Sequence, residues 1–367
     1  MARKSHKASA SLHAFGTQVM TTLQVVAVGM LLLCAASVYV SPHDYSVVSV
    51  FTLGFPFLLI LAIIIGFLAL LFTPRRAWIT PLGLLFCCGT IRNYCPLNLP
   101  AAAPDSAWHV MTWNMGGTNW DDSLTRDSLA NYLINEQLDL LVVQEISSPH
   151  ADVLANALHH QMPYSSFKGD SQWYGHAIIS RWPVLGSEKL TSNGANHTIL
   201  HQLQMPQGDT LFVVSCHLQS MHLDHDVRSD YFAIVHRQET NRDSVQQTSE
   251  TLLQHIRENG ALRALQADTV AQFLRSHAGR SVIVAGDLND SPVSYTRQTI
   301  AEAAPLTDCF RASGNGIGRS FNRDAIYVRI DHLFCTDNFK PYACRLGQTR
   351  ISDHYPMHCY LLPLNKK

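Results

Sequence analysis

The chain has 367 residues, of which 47% are apolar, and it carries 27 lysines and arginines against 28 aspartates and glutamates. This near-neutral balance excludes the class of proteins that hold nucleic acid mainly through a large excess of positive charge. The mean hydropathy of +0.01 averages two unlike parts, because nearly all the long apolar runs lie near the amino terminus. A membrane region followed by a water-soluble domain is therefore predicted.

Two apolar runs in the first part are long enough to cross a bilayer. Residues 17–40 carry no charge and residues 47–72 are apolar almost throughout, whereas about 20 apolar residues suffice to span the hydrocarbon core. A third run, 77–91, is shorter and contains a proline and a glycine. Three interpretations are open for this run: a third transmembrane span, a re-entrant segment or an interfacial helix. We favour the third span. Residues 1–92 are thus predicted to form a membrane anchor with two or three transmembrane helices.

Basic residues beside the apolar runs predict the orientation, because short loops rich in lysine and arginine stay in the cytoplasm. Arg3, Lys4 and Lys7 precede the first run, and Arg75 and Arg76 follow the second. The amino terminus is therefore expected inside. With three spans the soluble domain emerges on the far side of the membrane, and with two it stays in the cytoplasm.

The remainder of the chain alternates helical and strand-like patterns. Residues 93–106, rich in proline and alanine, predict an extended linker, and residues 107–367 are long enough for one large domain. Helices are expected over 124–136, 151–160 and 261–277, between short apolar stretches typical of strands. This alternation predicts an α/β fold, a two-layered sandwich of two mixed β-sheets flanked by helices.

Six of the strand-like stretches lead to polar side chains that are able to do chemistry. The stretches are 108–113, 138–143, 211–215, 281–285, 327–330 and, less cleanly, 343–351. In chain order they lead to Asn114, Glu145, His217, Asp287 with Asn289, Asp331, and Asp353 with His354. Any one of these is commonly a turn residue. Together they predict one polar pocket at the strand ends.

The motifs WNMGG, QE, HAIISRWPV, SCHLQ, GDLND, RIDH and SDHYP, taken in this order, resemble the endonuclease/exonuclease/phosphatase superfamily. That superfamily includes deoxyribonucleases, sphingomyelinases and inositol polyphosphate phosphatases. The likeness spans about 108–362. The stretch 291–296, the glycine-rich 313–320 and the apolar amino terminus are similar to membrane-anchored bacterial members. The resemblance therefore implies a bacterial inner-membrane protein, with the catalytic domain expected on the extracytoplasmic (periplasmic) side if 77–91 is a third span.

The resemblance implies a metal-dependent hydrolase of phosphate esters. A divalent cation neutralises the charge that resists attack on a phosphate ester, and oxygen ligands suit Mg²⁺ or Mn²⁺ better than zinc. The implied metal ligands are Asn114, Glu145 and Asp353. The implied catalytic residues are His217, Asp287, Asn289, Asp331, Asp353 and His354.

The family's pattern also implies a role for each catalytic residue. Asp287 orients or deprotonates the attacking water, and Asn289 holds the water or the phosphate. His217 and His354 donate hydrogen bonds to phosphoryl oxygens. Asp353 steadies His354, and Asp331 assists nearby. In-line attack on phosphorus is expected.

The substrate stays open at this point. We favour a phosphodiesterase acting on nucleic acid, with a local basic patch of Arg311, Arg319, Arg323 and Arg329 holding the backbone. A hydrolase of phospholipid headgroups, sphingomyelinase-like, or of other phosphate esters is the alternative, with Trp173 and Tyr174 entering the bilayer interface. An inactive membrane scaffold is the third. The oligomeric state is not indicated.

Two further groups carry weaker signals. The spacing of His217, His222 and His225 with Asp224 and Asp226 resembles a transition-metal site, but the surrounding polar stretch, 219–260, is interpreted as a loop and a solvated helix. The nine cysteines show no CxxC spacing, so a reactive cysteine is not expected, and their pairing is not readable from sequence.

Overall fold

The computed structural model describes residues 2–191, 196–206, 208–220, 241–323 and 328–364 with positions 229, 233 and 234, and side chains from Ala14 onward. The helices of eight or more residues, and three shorter ones, are α1 (Ala2–Ala36), α2 (Val47–Leu53), α3 (Phe55–Phe72), α4 (Ile79–Phe86), α5 (Cys88–Tyr94), α6 (Ser123–Asn135), α7 (Ser148–Leu158), α8 (Arg242–Ser276), α9 (Tyr295–Glu302) and α10 (Cys309–Ser313). The strands are β1 (Trp108–Asn114), β2 (Leu140–Ile146), β3 (Tyr164–Ser171), β4 (Tyr174–Ser180), β5 (Val184–Lys189), β6 (Thr198–Gln204), β7 (Thr210–His217), β8 (Ser281–Asp287), β9 (Leu306–Asp308), β10 (Asp331–Thr336), β11 (Phe339–Leu346) and β12 (Met357–Pro363).

The strands form two six-stranded sheets, ordered β11-β12-β1-β2-β4-β3 and β5-β6-β7-β8-β10-β9. Each sheet has one parallel pair at its centre, β1 with β2 and β7 with β8, and its other pairs are antiparallel. The sheets face each other across a core that includes Val110, Val142, Val213 and Ile283. The predicted two-layered sandwich of mixed sheets is therefore confirmed.

The central strands are apolar on both faces because each sheet is covered twice. In β2, Val142 faces the opposite sheet, whereas Leu141 and Val143 pack beneath helices α6 and α7 with Leu129 and Leu154. Strands covered on both faces read as continuous apolar runs. This is why the central strands were readable from sequence as uninterrupted apolar stretches.

The largest departure among the helices is α8, which begins at Arg242 rather than at the predicted 261. Its apolar stripe starts only near Ile256, so the first half gives no amphipathic signal. That half carries polar pairs one turn apart, Gln246 to Glu250 at 2.9 Å and Gln254 to Glu258 at 2.8 Å. Such pairs stabilise an exposed helix modestly.

Two predicted strands are corrected. Residues 328–330, within the predicted stretch 327–330, are irregular, and residue 327 lies outside the described residues. The strand begins at Asp331, so this aspartate opens β10 and does not close a strand. Likewise β11 ends at Leu346, and the rest of the predicted stretch 343–351 is a loop that carries the chain to Asp353. In the second place the apolar Ile351 packs in the loop against the core.

Two amino-terminal helices, over residues 14–39 and 55–72, are long and apolar enough to cross a membrane by length and composition. The proposed third span consists of α4 and α5, which meet at Cys87. Helix α4 packs closely on α1, since a Cβ added to Gly83 would lie 2.3 Å from Val28 Cγ1. The number of spans, and the boundaries 1–92, 93–106 and 107–367, stay predictions.

The soluble domain packs directly against the amino-terminal helices. Val293 belongs to the same apolar cluster as Leu31 and Phe55, and the buried Arg329 donates a hydrogen bond to the carbonyl of Asn93. The segment predicted as an extended tether is extended but fastened, because the Asn98 amide donates to the carbonyls of α10 and its flank. The domain therefore rests on the helices.

Acid should destabilise the soluble domain through buried neutral histidines. Burial lowers the pKa of His201 and of His332 to about 3, whereas an unfolded histidine titrates near 6.5. Between these values the unfolded state binds more protons, so the free energy of unfolding falls as pH falls below about 6.5. At a pH of about 5 each histidine costs about 2 kcal/mol. Urea unfolding of the full chain in detergent at several pH values measures this slope.

His332 offers a matched control for that slope. Both of its ring nitrogens are buried without a hydrogen-bond partner among the described residues, and the ring stacks on Phe334. His332→Phe should keep the packing and reduce the acid dependence by about one proton. An unfolding midpoint that is flat from neutral to mildly acidic pH would contradict the expectation.

Candidate functional site

The register of the central strands brings the predicted site residues to one edge of the sandwich. In one sheet Asn114 closes β1 opposite Gln144, which precedes Glu145 on β2. In the other sheet His217 on β7 and Asp331 on β10 both pair with Asp287 on β8. Because the carboxyl ends of the parallel strands and the amino end of the antiparallel β10 meet at the same edge, these five side chains converge.

Asn114 joins the two sheets at this edge. Its Nδ2 donates to Glu145 Oε1 at 2.8 Å and to Asp287 Oδ2 at 3.1 Å. The other Asp287 oxygen accepts from the backbone N–H of Asn289 at 2.7 Å, and the Asn289 amide donates to the carbonyl of Leu218 at 2.9 Å. Asn114 and Asp287 are buried, whereas the Glu145 side chain is 30% exposed. The cluster is therefore reached from solvent past Glu145.

The backbone is strained where the site residues are displayed. Glu145 has φ 53° and Asn289 has φ 50°, values that residues other than glycine rarely adopt. The pairing of β2 with β4 is irregular between Val143 and Ile146, and a bulge of this kind re-aims a side chain. Gly286, with φ 130°, has no room for a Cβ, which would lie 2.1 Å from the carbonyl oxygen of Cys216.

His354 and Asp331 form a charged pair beneath Asp287. His354 Nδ1 lies 2.8 Å from Asp331 Oδ2, and its Nε2 lies 3.7 Å from Asp287 Oδ2. Burial alone would lower the pKa of His354, but Asp331 and Asp287 outweigh it and raise the pKa to about 10. Burial, with Asp331 nearby, raises the pKa of Asp287 to about 8. Near neutral pH the imidazole is therefore a cation beside a carboxyl poised to exchange a proton.

His217 differs from His354 in charge. Burial lowers its pKa to about 4, although Glu145 acts in the opposite direction. Its Nδ1 lies 3.0 Å from the Tyr174 hydroxyl, and its Nε2 lies 3.0 Å from Asn196 Nδ2 and 3.3 Å from Glu145 Oε1. The site thus holds one neutral imidazole and one charged one, on opposite sides of Asp287.

All three predicted metal ligands offer oxygen atoms to a single space. A Cβ added to Gly116 would lie 2.8 Å from Glu145 Oε2, 3.0 Å from Asp353 Oδ1 and 3.2 Å from Asn114 Oδ1. Two carboxylates and an amide oxygen around one point are a donor set that fits Mg²⁺ or Mn²⁺. Two other groups, Glu145 with His217 and Asp287, and Asp287 with Asp331 and His354, also lie within metal-ligand reach. The second of these contains a cationic imidazole, which is a poor ligand.

A model of the endonuclease/exonuclease/phosphatase family matches residues 111–354, a range that contains every predicted site residue from Asn114 to His354. The chain belongs to this family. Hydrolases of the family act on phosphate esters and use divalent metals. A second model, of a domain of unknown function, matches residues 17–94. No curated protein matches the chain.

One solved structure with a TM-score of 0.50 supports the fold, and two others are similar at lower scores. The chain is similar to SmcL, with 15% identity and a TM-score of 0.50 over 70% of this chain and 99% of that one. It is also similar to humanized D. rerio TDP2, with 18% identity and a TM-score of 0.49 over 70% and 99% of the two chains. A third is an endonuclease/exonuclease/phosphatase from Beutenbergia cavernae, with 17% identity and a TM-score of 0.48 over 70% and 71%.

The structure revises the expected partner of His354. The imidazole is paired directly with Asp331, whereas Asp353 points its Oδ1 toward Gly116 and lies 3.9 Å from Arg323. The reason is local geometry: Ser352 Oγ donates to the carbonyls of Asn114 and Gly116. This turns the loop so that consecutive side chains face different parts of the site.

The predicted basic patch does not assemble. Arg329 is fully buried over the ring of Phe310, and Arg311 lines a cavity between the soluble domain and the amino-terminal helices. Arg319 lines a groove with Ala343 and Arg345, and Arg323 lies beside Asp353 with a half-exposed side chain. The second histidine group cannot be placed, because His222, Asp224, His225 and Asp226 lie outside the described residues.

Two site residues escaped the sequence interpretation. Tyr174 was grouped with Trp173 as an aromatic pair for the bilayer interface, but its hydroxyl contacts His217, and only Trp173 is strongly exposed, at 69%. Asn196 is buried against His217. For Tyr174 the available signal was its position at the start of a strand next to the predicted pocket. No sequence signal pointed to Asn196.

The pairing of His354 with Asp331 predicts a titration shift. Asp331→Asn removes the nearer carboxylate, so the pKa of His354 should fall from about 10 toward or below the ordinary value of about 6.5. Histidine NMR on the metal-free full chain measures it. Asp353→Asn is the comparison and should lower that pKa much less, because Asp353 acts on His354 more weakly than Asp331 and Asp287 do. A His354 titration indifferent to Asp331→Asn would contradict the pairing.

Proposed function

We propose that the chain is a membrane-anchored, divalent-metal-dependent phosphodiesterase that hydrolyses phosphodiester bonds by in-line attack of water, with nucleic acid as its first candidate substrate. The observation that carries this proposal is the convergence of Asn114, Glu145 and Asp353 oxygens on one point beside Asp287. A cation ligand set next to a carboxyl of raised pKa is the arrangement that water-dependent phosphate ester hydrolysis needs.

In this proposal Asn114, Glu145 and Asp353 hold Mg²⁺ or Mn²⁺, which when bound neutralises charge on the phosphoryl oxygens. Asp287 Oδ2 accepts a proton from the attacking water, and the side chain of Asn289, anchored on the carbonyl of Leu218, holds the water or the phosphate. His354 Nε2 donates a hydrogen bond to a phosphoryl oxygen, and Asp331 keeps its ring oriented and charged.

His217 borders the proposed site as a neutral ring whose Nε2 accepts from the Asn196 amide, so it positions its neighbours and does not donate to the substrate. Tyr174 and Asn196 fix the orientation of its ring from both nitrogens. The donor that remains is the cationic His354, and a preorganised donor stabilises charge that develops in the transition state by about 3–4 kcal/mol. Burial of both imidazoles excludes competing water from these contacts.

A phospholipid headgroup is the second candidate substrate, and the exposed ring of Trp173 favours it. Trp173 is 69% exposed and precedes Tyr174, which contacts His217. An exposed indole beside the site suits insertion at a membrane interface. Arg323, half exposed beside Asp353, instead suits the backbone of a nucleic acid.

Substrate assays with matched variants separate these two candidates. The full chain in detergent is assayed with Mg²⁺ on supercoiled plasmid, on sphingomyelin vesicles and on a phosphomonoester. A nuclease should nick plasmid and lose activity in Arg323→Gln but not in Trp173→Ala. A lipid hydrolase should show the reverse pattern on vesicles. No hydrolysis of any of the three by folded protein would overturn the proposal.

The location that we propose is the bacterial inner membrane with the catalytic domain on the extracytoplasmic side. Arg76 donates to Thr21, about 27 Å along the helix from Tyr39 at 1.5 Å per residue, whereas the soluble domain contacts Tyr39 at the other end of this apolar stretch. The basic residues and the catalytic domain thus lie at opposite ends of the bundle, which supports three crossings. A reporter active on only one side of the membrane, fused to the carboxyl terminus, tests this, and a cytoplasmic signal would contradict it.

A further inference from the structure

A second cluster of metal-ligating side chains lies at the far end of β1 from Asn114. It consists of His109 near the start of β1, Glu136 just after α6, and His358 on β12, whose ligand atoms all lie within 4.8 Å of one another. At about 3.3 Å per strand residue, the five residues from His109 to Asn114 separate the cluster from the candidate catalytic centre by about 17 Å. It is therefore a separate feature of the fold.

The spacing of the cluster matches a tetrahedral ion. His109 Nε2 lies 3.2 Å from His358 Nδ1, and His358 Nδ1 lies 3.6 Å from the nearer Glu136 oxygen. Zinc bonds of about 2.0–2.1 Å in a tetrahedron place neighbouring ligand atoms about 3.3 Å apart. Two imidazoles and one carboxylate, with water in the fourth position, are a recurrent zinc ligand set.

The outer nitrogens of both histidines are fixed. His109 Nδ1 lies 2.8 Å from the carbonyl oxygen of Glu136, and because a carbonyl only accepts, the proton sits on Nδ1 and leaves Nε2 with a free lone pair. His358 Nε2 lies 2.9 Å from the Tyr132 hydroxyl. Histidine ligands in proteins characteristically have the second nitrogen held by such a partner. Burial also lowers the pKa of both histidines, so both rings are neutral at physiological pH.

One contact opposes a bound cation. Arg345 Nη2 lies 3.1 Å from Glu136 Oε2, so the guanidinium competes for the same carboxylate. Without a metal, His358 Nδ1–H donates to His109 Nε2, and the group becomes a hydrogen-bond chain closed by the Glu136–Arg345 pair. The two states differ in their response to removal of Arg345.

We propose that His109, Glu136 and His358 bind a transition-metal ion, zinc by preference, at a site independent of the catalytic centre. The partly exposed carboxylate of Glu136 leaves an approach for the ion and its water. The bound ion ties the end of α6 to β1 and β12, so it stabilises the outer face of this sheet.

Zinc binding to the full chain tests the proposal. The chelator-treated protein is titrated with Zn²⁺ in excess Mg²⁺, and bound metal is measured together with the thermal midpoint. Cobalt in place of zinc should give the intense visible bands of a tetrahedral site. One equivalent should bind to the wild type and to Glu145→Gln, and it should be lost in His358→Ala. The exposed His159→Ala is the matched control and should bind as wild type.

The Arg345→Gln variant distinguishes the two states without touching a ligand. It should bind zinc more tightly, because the competing cation is gone. A hydrogen-bond chain with no metal role predicts lower stability and no gain in affinity. Zinc binding that disappears in Glu145→Gln, that survives in His358→Ala, or that is unchanged in Arg345→Gln would overturn the proposal. Should His358→Ala fail to fold, the Arg345→Gln comparison decides alone.

Discussion

Asp287→Ala should lower kcat by about 10²–10⁴-fold, the range in which a positioned general base contributes to catalysis. Asp287 holds the contact with Asn114, lies next to His354 and presents a carboxyl whose pKa is raised to about 8. Substitution therefore removes the proton acceptor while the cation ligands and both imidazoles remain. Steady-state hydrolysis with saturating Mg²⁺ measures the loss.

The same substitution should not destabilise the fold. Burial raises the pKa of Asp287 to about 8, so between pH about 4 and about 8 its ionisation costs stability that removal of the carboxyl returns, and this gain offsets the loss of the hydrogen bonds from Asn114 and Asn289. Asp290→Asn is the matched control: this carboxylate accepts a hydrogen bond from Thr296 and pairs with Arg263. The Asp290→Asn protein should be less stable than the wild type and should keep its activity. An Asp287→Ala protein with near wild-type kcat would refute the assignment.

Glu145→Gln should cost about as much activity as removal of the metal itself. Glu145 and Asp353 supply the two anionic oxygens around the space beside Gly116, and affinity for hard cations depends on the number of charged ligands. A divalent cation provides several kcal/mol of transition-state stabilisation, or about 10³-fold in rate at 4 kcal/mol. High Mg²⁺ concentrations should restore part of the activity in the variant.

Calorimetric titration with Mn²⁺ separates binding from catalysis in this variant. The wild type should bind the ion, Glu145→Gln should bind it at least about tenfold more weakly, and Asp287→Asn should bind it nearly as the wild type does. Chelator-treated wild-type protein that retains full activity would show that the oxygen cluster has another purpose.

The fold and most of the site were readable from the sequence because both depend on local pattern. Asn114, His217 and Asp287 each close an apolar strand covered on both faces, and the parallel pairs bring such ends together. A strand buried on both faces gives a continuous apolar run. The polar residue that ends such a run can therefore be located from the sequence.

What stayed hidden depends on contacts between distant segments. Tyr174 reaches His217 only through the antiparallel pairing of β4 with β2, and no local spacing announces Asn196. The Arg329 side chain looked like a surface cation, but it crosses to Asn93, more than two hundred residues away. His109 and His358 meet only because β1 pairs with β12.

The central claim is that this chain hydrolyses phosphodiester bonds with a divalent metal at the Asn114–Glu145–Asp353 cluster. Turnover of a chromogenic phosphodiester by the full chain in detergent tests this claim, whichever phosphodiester is the natural substrate. We predict release of the chromophore with Mg²⁺ or Mn²⁺, none after chelation, recovery on adding the metal back, and loss in Asp287→Ala. A folded chain that binds the metal yet releases no chromophore, or one that works equally well in chelator, would contradict the account.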